Sequence, residues 1–295
     1  MPTSAPLPWL ATQGNRIIRT DSGDGVLLRG VNRSGLEYTE PGRRGFLAHA
    51  HLTRDEIGRI CNDWHCNIIR LPFNQDFALR GRGEFSAEAY LEALDQVIDW
   101  AAEFGAYTLL CLQWLDADNP WGPHREFIHP LPNAESTRLW HVLATRYIGR
   151  PEVLYDLYTE PHDTSAAEWN QSAQLLADAI WQQNSRALVF VSGVGWGFDL
   201  QGVFIQGPNV VYSTHVYKKW GPDWDGAFGE RARVDPVFAG EWGCWNGELE
   251  WGRNVLDYLG AAGIGWAAWS WSDRPRLMVE GETTDYGELV SAELA

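Results

Sequence analysis

Two stretches of the chain hold the residues best suited to chemistry. Val153-Leu154-Tyr155-Asp156-Leu157-Tyr158-Thr159-Glu160-Pro161-His162 begins as an apolar run of strand formers and stops at a carboxylate followed by proline. Val237-Phe238-Ala239-Gly240-Glu241-Trp242-Gly243 has the same design. A carboxylate at the carboxyl end of each of two buried strands suggests a two-carboxylate hydrolase, in which one carboxyl donates a proton and the other acts as an anion.

The elements that must position them alternate between strand and helix. Asn15–Thr20, a turn at Asp21–Gly25 and Val26–Arg29 read as a β-hairpin running into a first strand at Gly30-Val31-Asn32. A capping box of Thr53 and Glu56 opens a helix, and Cys66–Leu71 forms strand two, which Pro72 should stop. Ser86 caps a helix whose Leu91, Leu94, Val97, Ile98 and Ala101 repeat at helical spacing. Strand three is Tyr107–Leu112, and a helix near 134–148 precedes the Glu160 strand, the fourth. Ser165 and Glu168 open the next helix at capping-box spacing. Strands five to eight follow at Leu188–Val191, Val210–His215, Val237–Gly240 and Gly265–Ser270, with a helix near 250–261 before the last. These strands are continuous apolar runs, as expected when both faces are covered. Eight such units in 295 residues predict one α/β domain over 1–295, a single (β/α)8 TIM barrel with an N-terminal β-hairpin.

In such a barrel the chemistry gathers at the carboxyl ends of the strands. Arg70 follows strand two, Gln113 strand three, Glu160 strand four, His215 and Tyr217 strand six, Glu241 strand seven and Trp269 strand eight. Alternation along a strand puts His215 and Tyr217 on one face. A buried Arg70 needs a carboxylate, and Glu241 is the obvious candidate.

Composition narrows the partners. A formal net charge of −16 argues against nucleic acid and anionic membrane. Seventeen Trp exceed the needs of a core and hint at carbohydrate, because indole faces stack on sugar rings. Trp114, Trp121, Trp196, Trp220, Trp245 and Trp271 lie in loops just after strands, where sugar contact and rim packing are equally open. Trp9, Trp64, Trp100, Trp140, Trp169 and Trp181 lie elsewhere and are expected in the core. Cys61, Cys66, Cys111 and Cys244 lack metal-ligand spacing and read as buried hydrophobes, with a Cys61–Cys66 disulfide as the lesser option. No signal peptide and no apolar run of membrane-spanning length is visible.

Several motifs together resemble the family 5 glycoside hydrolases: Leu28-Arg29-Gly30-Val31-Asn32, Ile68-Ile69-Arg70-Leu71-Pro72, Glu160-Pro161-His162, His215-Val216-Tyr217, Gly240-Glu241-Trp242-Gly243 and Gly265–Trp271. The resemblance implies that Glu160 is acid/base and Glu241 nucleophile of a retaining β-glycosidase acting on a β-linked glucan- or mannan-type oligo- or polysaccharide. It also implies supporting roles for Arg70, His215 and Tyr217, a sugar floor at Trp269 and a substrate-facing Asn32. No cofactor or metal is expected, and the protein is expected to be a monomer. Two positions depart from the family pattern: Thr159 stands where Asn is usual before the acid/base, and Gln113 where His usually ends strand three. A shorter Thr hydroxyl weakens the grip on the sugar 2-hydroxyl, which points to a less common sugar or linkage.

Those departures keep a second reading open, a carbohydrate-binding barrel with weakened catalysis. A third, a metal-dependent barrel hydrolase, has only His49-Ala50-His51 behind it, and these lie before a helix cap where solvated loop histidines are expected. Asp116-Ala117-Asp118 reads as a solvated loop.

Overall fold

The structure, a computed structural model, describes residues 6–117, 128–245 and 247–295. Strands β1 (Leu10–Gln13) and β2 (Arg16–Arg19) form an antiparallel hairpin that turns at Gly14-Asn15, with Gly14 at φ 58°. A glycine at the first position of a two-residue turn matches the twist of the arms. The hairpin therefore sits one segment earlier than the sequence predicts. The expected second arm returns beside β2 through only an isolated bridge, Ile18 with Gly25, and a bond from Val26 N to Ile17 O.

Eight parallel strands follow: β3 (Arg29–Asn32), β4 (Ile68–Asn74), β5 (Tyr107–Trp114), β6 (Val153–Asp156), β7 (Val189–Ser192), β8 (Val210–Val216), β9 (Val237–Trp242) and β10 (Gly265–Ala268). They close into a barrel in that order, with β10 bonded to β3. Helices Ala87–Glu103, Ala134–Arg146, Ala166–Trp181 and Leu249–Ala261 pack outside. Ser86, Asn133 and Ser165 accept from the backbone at the first three helix starts, giving each helix a defined origin. After β10, a short pair, β11 (Met278–Val279) with β12 (Glu282–Thr283), leads to a last helix, Asp285–Leu294.

The two-residue period of the strands sorts their side chains into two cores. Ile68, Leu109, Leu154, Phe190, Val211 and Phe238 fill the barrel. Their neighbours Ile69, Leu110, Tyr155, Val189, Tyr212 and Ala239 face the helices. Each large apolar side chain buried this way contributes about 1.5–3 kcal/mol. Above the interior apolar layer the same inward phase delivers Asn32, Arg70, Cys111 and Asp156, all buried.

Two local expectations change, and for the cysteines the main reading holds over the lesser one. Pro72 does not stop its strand; β4 runs on to Asn74, pairing with β5. The Arg70 carbonyl accepts from Arg33 N, so the Pro72 nitrogen faces the same side, where β3 has already ended and no ladder donor is missed. Thr53 does accept from Glu56 N, but the Glu56 carboxylate turns to Arg33 Nε at 2.8 Å, a half-made capping box. All four cysteines are free and buried, so Cys61 and Cys66 do not form a disulfide.

Candidate active site

Glu241 reaches the barrel mouth through a fault in β9. On the β8 side Thr214 pairs with Ala239 and His215 with Glu241, so Gly240 is an extra residue. The same slip appears on the β10 side, between Trp266 and Ala268. Such a bulge resets the alternation. Gly240 and Glu241 consequently both point inward, while Ala239 and Trp242 face the helices. A Cβ on Gly240 would stand 2.4 Å from Ser213 Oγ, which explains the glycine.

Arg70 is the hub beneath. Its Nε donates to Asp156 Oδ2 at 2.8 Å, and one terminal nitrogen donates to Asn32 Oδ1 at 2.7 Å and Glu241 Oε1 at 2.8 Å. The other terminal nitrogen lies 2.9 Å from Cys111 Sγ and 3.3 Å from Thr159 Oγ1. A buried guanidinium needs this many partners. Asp156 belongs to this network although the strand-end pattern does not single it out; its signal is one acid in phase with Leu154 inside an apolar run.

Asn32 requires a correction. It is fully buried and donates to the carbonyls of Gly240 and Ala267, so it braces Arg70 and does not face substrate. The in-phase position on a short β3 places it one layer below the mouth.

Glu241 has donors at both oxygens. Arg70 and Thr159 (3.4 Å) serve Oε1, and the Tyr217 hydroxyl serves Oε2 at 2.9 Å. Three donors aimed at the two oxygens hold this carboxylate in one orientation. Tyr217 stays protonated because burial pushes its hydroxyl well above the usual tyrosine value.

Glu160 has the opposite surroundings. Burial raises its carboxyl to about 7, against smaller opposing effects from Lys219, Arg70 and His162. His215 Nδ1 lies 3.0 Å from Glu160 Oε1. Burial lowers His215 to about 4, so the ring is neutral near neutral pH. Its Nε2 faces the Arg70 guanidinium at 3.5 Å, which can only donate. The ring proton therefore belongs on Nδ1, aimed at Glu160 Oε1, which leaves the other Glu160 oxygen to take a proton. Oxygen atoms of Glu160 and Glu241 and a nitrogen of His215 all lie within 4.8 Å of one another.

These groups floor a cleft of about 530 Å³. Gln113, Trp114, Trp196, Trp245 and Trp269 line it, as does Tyr217. Trp196 stacks on the His162 ring, 3.7 Å between centroids and 9° from parallel. Trp271 does not take part: it is buried and packs edge-on against Trp64. Trp220 is outside the cleft lining and stacks on Phe198. Trp121 and Asp118 lie outside the described residues. Of the tryptophans expected in the core, Trp64, Trp140 and Trp169 are buried, whereas Trp9, Trp100 and Trp181 are half-buried.

Three further carboxylates line the cleft, Glu248, Asp273 and, in the loop after β3, Glu37. Of these Glu37 is the most enclosed. It is only 1% exposed, its Oε2 accepts from Gly35 N at 2.6 Å, and burial raises it to about 8. Among the described residues His49 and His51 join no convergent set of metal-ligand atoms, and Asp116 is held by His129 Nε2 at 2.5 Å.

The family model of Cellulase (glycosyl hydrolase family 5) matches residues 21–275. The chain belongs to glycosyl hydrolase family 5. It is 23% identical over 270 residues to endoglucanase E-5 of Thermobifida fusca, covering 86% of this chain and 53% of that protein. It is 20% identical over 264 residues to endoglucanase CelA of Streptomyces lividans, covering 84% of this chain and 53% of that one. The chain thus spans about half the length of the curated relatives it matches. Among solved structures, a β-glucanase of Saccharophagus degradans in complex with cellotetraose superposes with a TM-score of 0.79 at 22% identity, covering 98% of this chain and 94% of that one. The catalytic domain of the major endoglucanase of Xanthomonas campestris gives 0.77 at 22% identity, covering 97% and 99%. At these identities the superpositions establish the barrel fold of this family member.

Proposed function

We propose that the barrel is one catalytic domain over residues 1–295 that hydrolyses a β-linked glucan-type oligo- or polysaccharide with retention of configuration. The observation that carries this reading is the pairing of Glu160 and Glu241 across the cleft floor in opposite electrostatic settings. Glu160 is desolvated and holds a proton near neutral pH, whereas Glu241 receives hydrogen bonds at both oxygens.

Glu160 gives its proton to the departing glycosidic oxygen while Glu241 attacks the anomeric carbon. Water, deprotonated by Glu160, then releases the sugar from Glu241. An approach within 4.8 Å between the carboxylates supports the retaining geometry, ~5–5.5 Å between carboxyl groups, over the ~6.5–9.5 Å that leaves room for an inverting water. Arg70 and Tyr217 orient Glu241, and Trp269 offers its face to the reacting sugar. Thr159 donates its one hydroxyl proton to Glu241 and so has none for the sugar 2-hydroxyl. That leaves the identity of the sugar at the reacting position, gluco or manno, to the cleft walls.

The test is a 2-deoxy-2-fluoro-β-cellobioside with a good leaving group, followed by peptide mass analysis. The expected result is a covalent sugar on Glu241, with Glu160→Ala slowing release of the label. A protein that binds cello-oligosaccharides but never acquires the label would be the carbohydrate-binding barrel instead.

A further inference from the structure

Of the 23 Lys and Arg residues, only Lys218 and Lys219 are lysines. Both line the cleft. Elsewhere positive charge is delivered by arginine, in several places paired with carboxylates, as Arg146 is with Asp95 and Glu88. The two lysines differ in what they face. Lys218 lies 3.5 Å from Glu248 Oε1, whereas Lys219 forms no ion pair among the described residues. Its ammonium instead rests 4.2 Å above the Trp220 ring and 5.9 Å from that of Trp196. A cation held over two indoles is pre-positioned while keeping its donors free.

Lys219 belongs to the side of the cleft that takes the leaving group. That side is marked by Glu160, which protonates the departing oxygen. Trp196 is tied to the same segment: its N–H donates to Pro161 O, and its ring stacks on His162. Lys219 is also the first of the charges that oppose the upward shift of Glu160. Trp269, the floor for the sugar that stays, comes from the loop after β10.

We infer that the leaving-group end of the cleft recognises a sugar bearing one carboxylate, a hexuronic acid residue, with Lys219 as its counter-charge. This rests on the hydrolytic reading above. A neutral glucan needs no unpaired cation there, and a net charge of −16 disfavours anions at the surface in general. Arg274 also lines the cleft but sits in the Trp269 loop, where its carbonyl accepts from the Trp269 indole, so on the leaving-group side one ammonium matches one negative charge. A doubly charged phosphate would bring an uncompensated charge toward Glu241, since Lys218 is already engaged by Glu248. A lysine suits this task because it is a compact point charge with three donors, and does not impose the planar fork of arginine.

The test compares kcat/KM for cellotetraose with that for cellotetraose whose two reducing-end residues are oxidised at C6 to glucuronate. Native protein and Lys219→Met are assayed at low salt, Lys219→Arg alongside. The expected native ratio, oxidised over neutral, is about tenfold, the scale of a charge-assisted hydrogen bond. It should fall about tenfold in Lys219→Met, be partly kept in Lys219→Arg, and shrink in 0.5 M salt at roughly the Debye-length limit of 4 Å. Cleavage of cellotetraose with a native ratio at or below one overturns the inference and leaves the hydrolase intact, as does a ratio that Lys219→Met does not change. If neither substrate is cleaved, the inference and the glucanase reading fall together. The native ratio needs no variant to fold.

Discussion

His215 presents Nδ1 to Glu160 at 3.0 Å, and the same atom stands 3.7 Å from Glu241. A neutral imidazole there separates two carboxylates without adding charge to either. With His215 lowered to about 4 by burial, its own titration lies below the working range. The limb of kcat/KM on the alkaline side should therefore belong to Glu160 and fall above about pH 7, as its proton is lost. Lys219→Met should move that limb to higher pH, because a nearby positive charge favours the anion. A pH profile from 5 to 9 checks both; a native alkaline limb below pH 6 would contradict the assignment.

The Arg70–Asp156 pair predicts a structural failure and a catalytic one together. Both side chains are fully buried, 2.8 Å apart, and Arg70 also holds Asn32 and Glu241. Asp156→Ala leaves a buried guanidinium short of one partner. Its expected cost is about 3–5 kcal/mol of stability, read from urea unfolding, with kcat lowered as Arg70 drifts from Glu241. Arg70→Lys should fare no better, since an ammonium cannot reach Asp156, Asn32 and Glu241 at once.

Much of this site can be read from strand ends, because a barrel converts sequence order into position around a ring. Glu160, His215, Tyr217 and Glu241 appear in that reading and meet at the cleft floor. Depth along a strand is harder to read. Asn32 and Arg70 are register partners, yet nothing in their spacing says that Asn32 ends below the mouth. The phase of Glu241 depends on the extra Gly240, and a strict two-residue period would send Glu241 toward the helices. Pro72 misleads for a related reason: it marks where β3 ends, not where β4 does. Glu37 lies five residues past Asn32 in an irregular loop, where neither period applies, and its burial comes from the fold of that loop.

Glu37 gives the stability curve its shape on the alkaline side. Burial raises it to about 8, and Glu160 to about 7, from ordinary glutamate values. Below the unfolded value both states are protonated and the native state keeps its full stability. As pH rises, the unfolded chain ionises first, so stability falls up to the folded values. His215 acts with the opposite sign: its folded value is depressed to about 4, so stability is lost as pH falls from about 6.5 toward 4. Across pH 4.5 to 6.5 two glutamates lose stability against one histidine that gains it, so these three groups together make thermal unfolding most resistant near about pH 4 to 4.5. Glu37→Gln should flatten the decline between pH 5 and 8, and calorimetry across that range measures it.

Thr159 stands beside Glu241 with a single hydroxyl proton to give. Its hydroxyl lies 3.4 Å from Glu241 Oε1 and 3.3 Å from Arg70, so it donates to one and accepts from the other. An asparagine at this position has two amide protons, one for Glu241 and one for a sugar 2-hydroxyl. A donor that engages where charge develops in the transition state is worth on the order of a hundredfold in rate. Thr159→Asn is therefore expected to raise kcat on β-1,4-gluco-oligosaccharides by about tenfold or more, with KM changed less, because the new bond strengthens in the transition state. The matching control is a substrate that lacks the 2-hydroxyl. Native protein should lose little rate on it, and Thr159→Asn should lose its whole gain. Equal gains on both substrates would mean that the substitution acts through the position of Glu241 and not through the sugar.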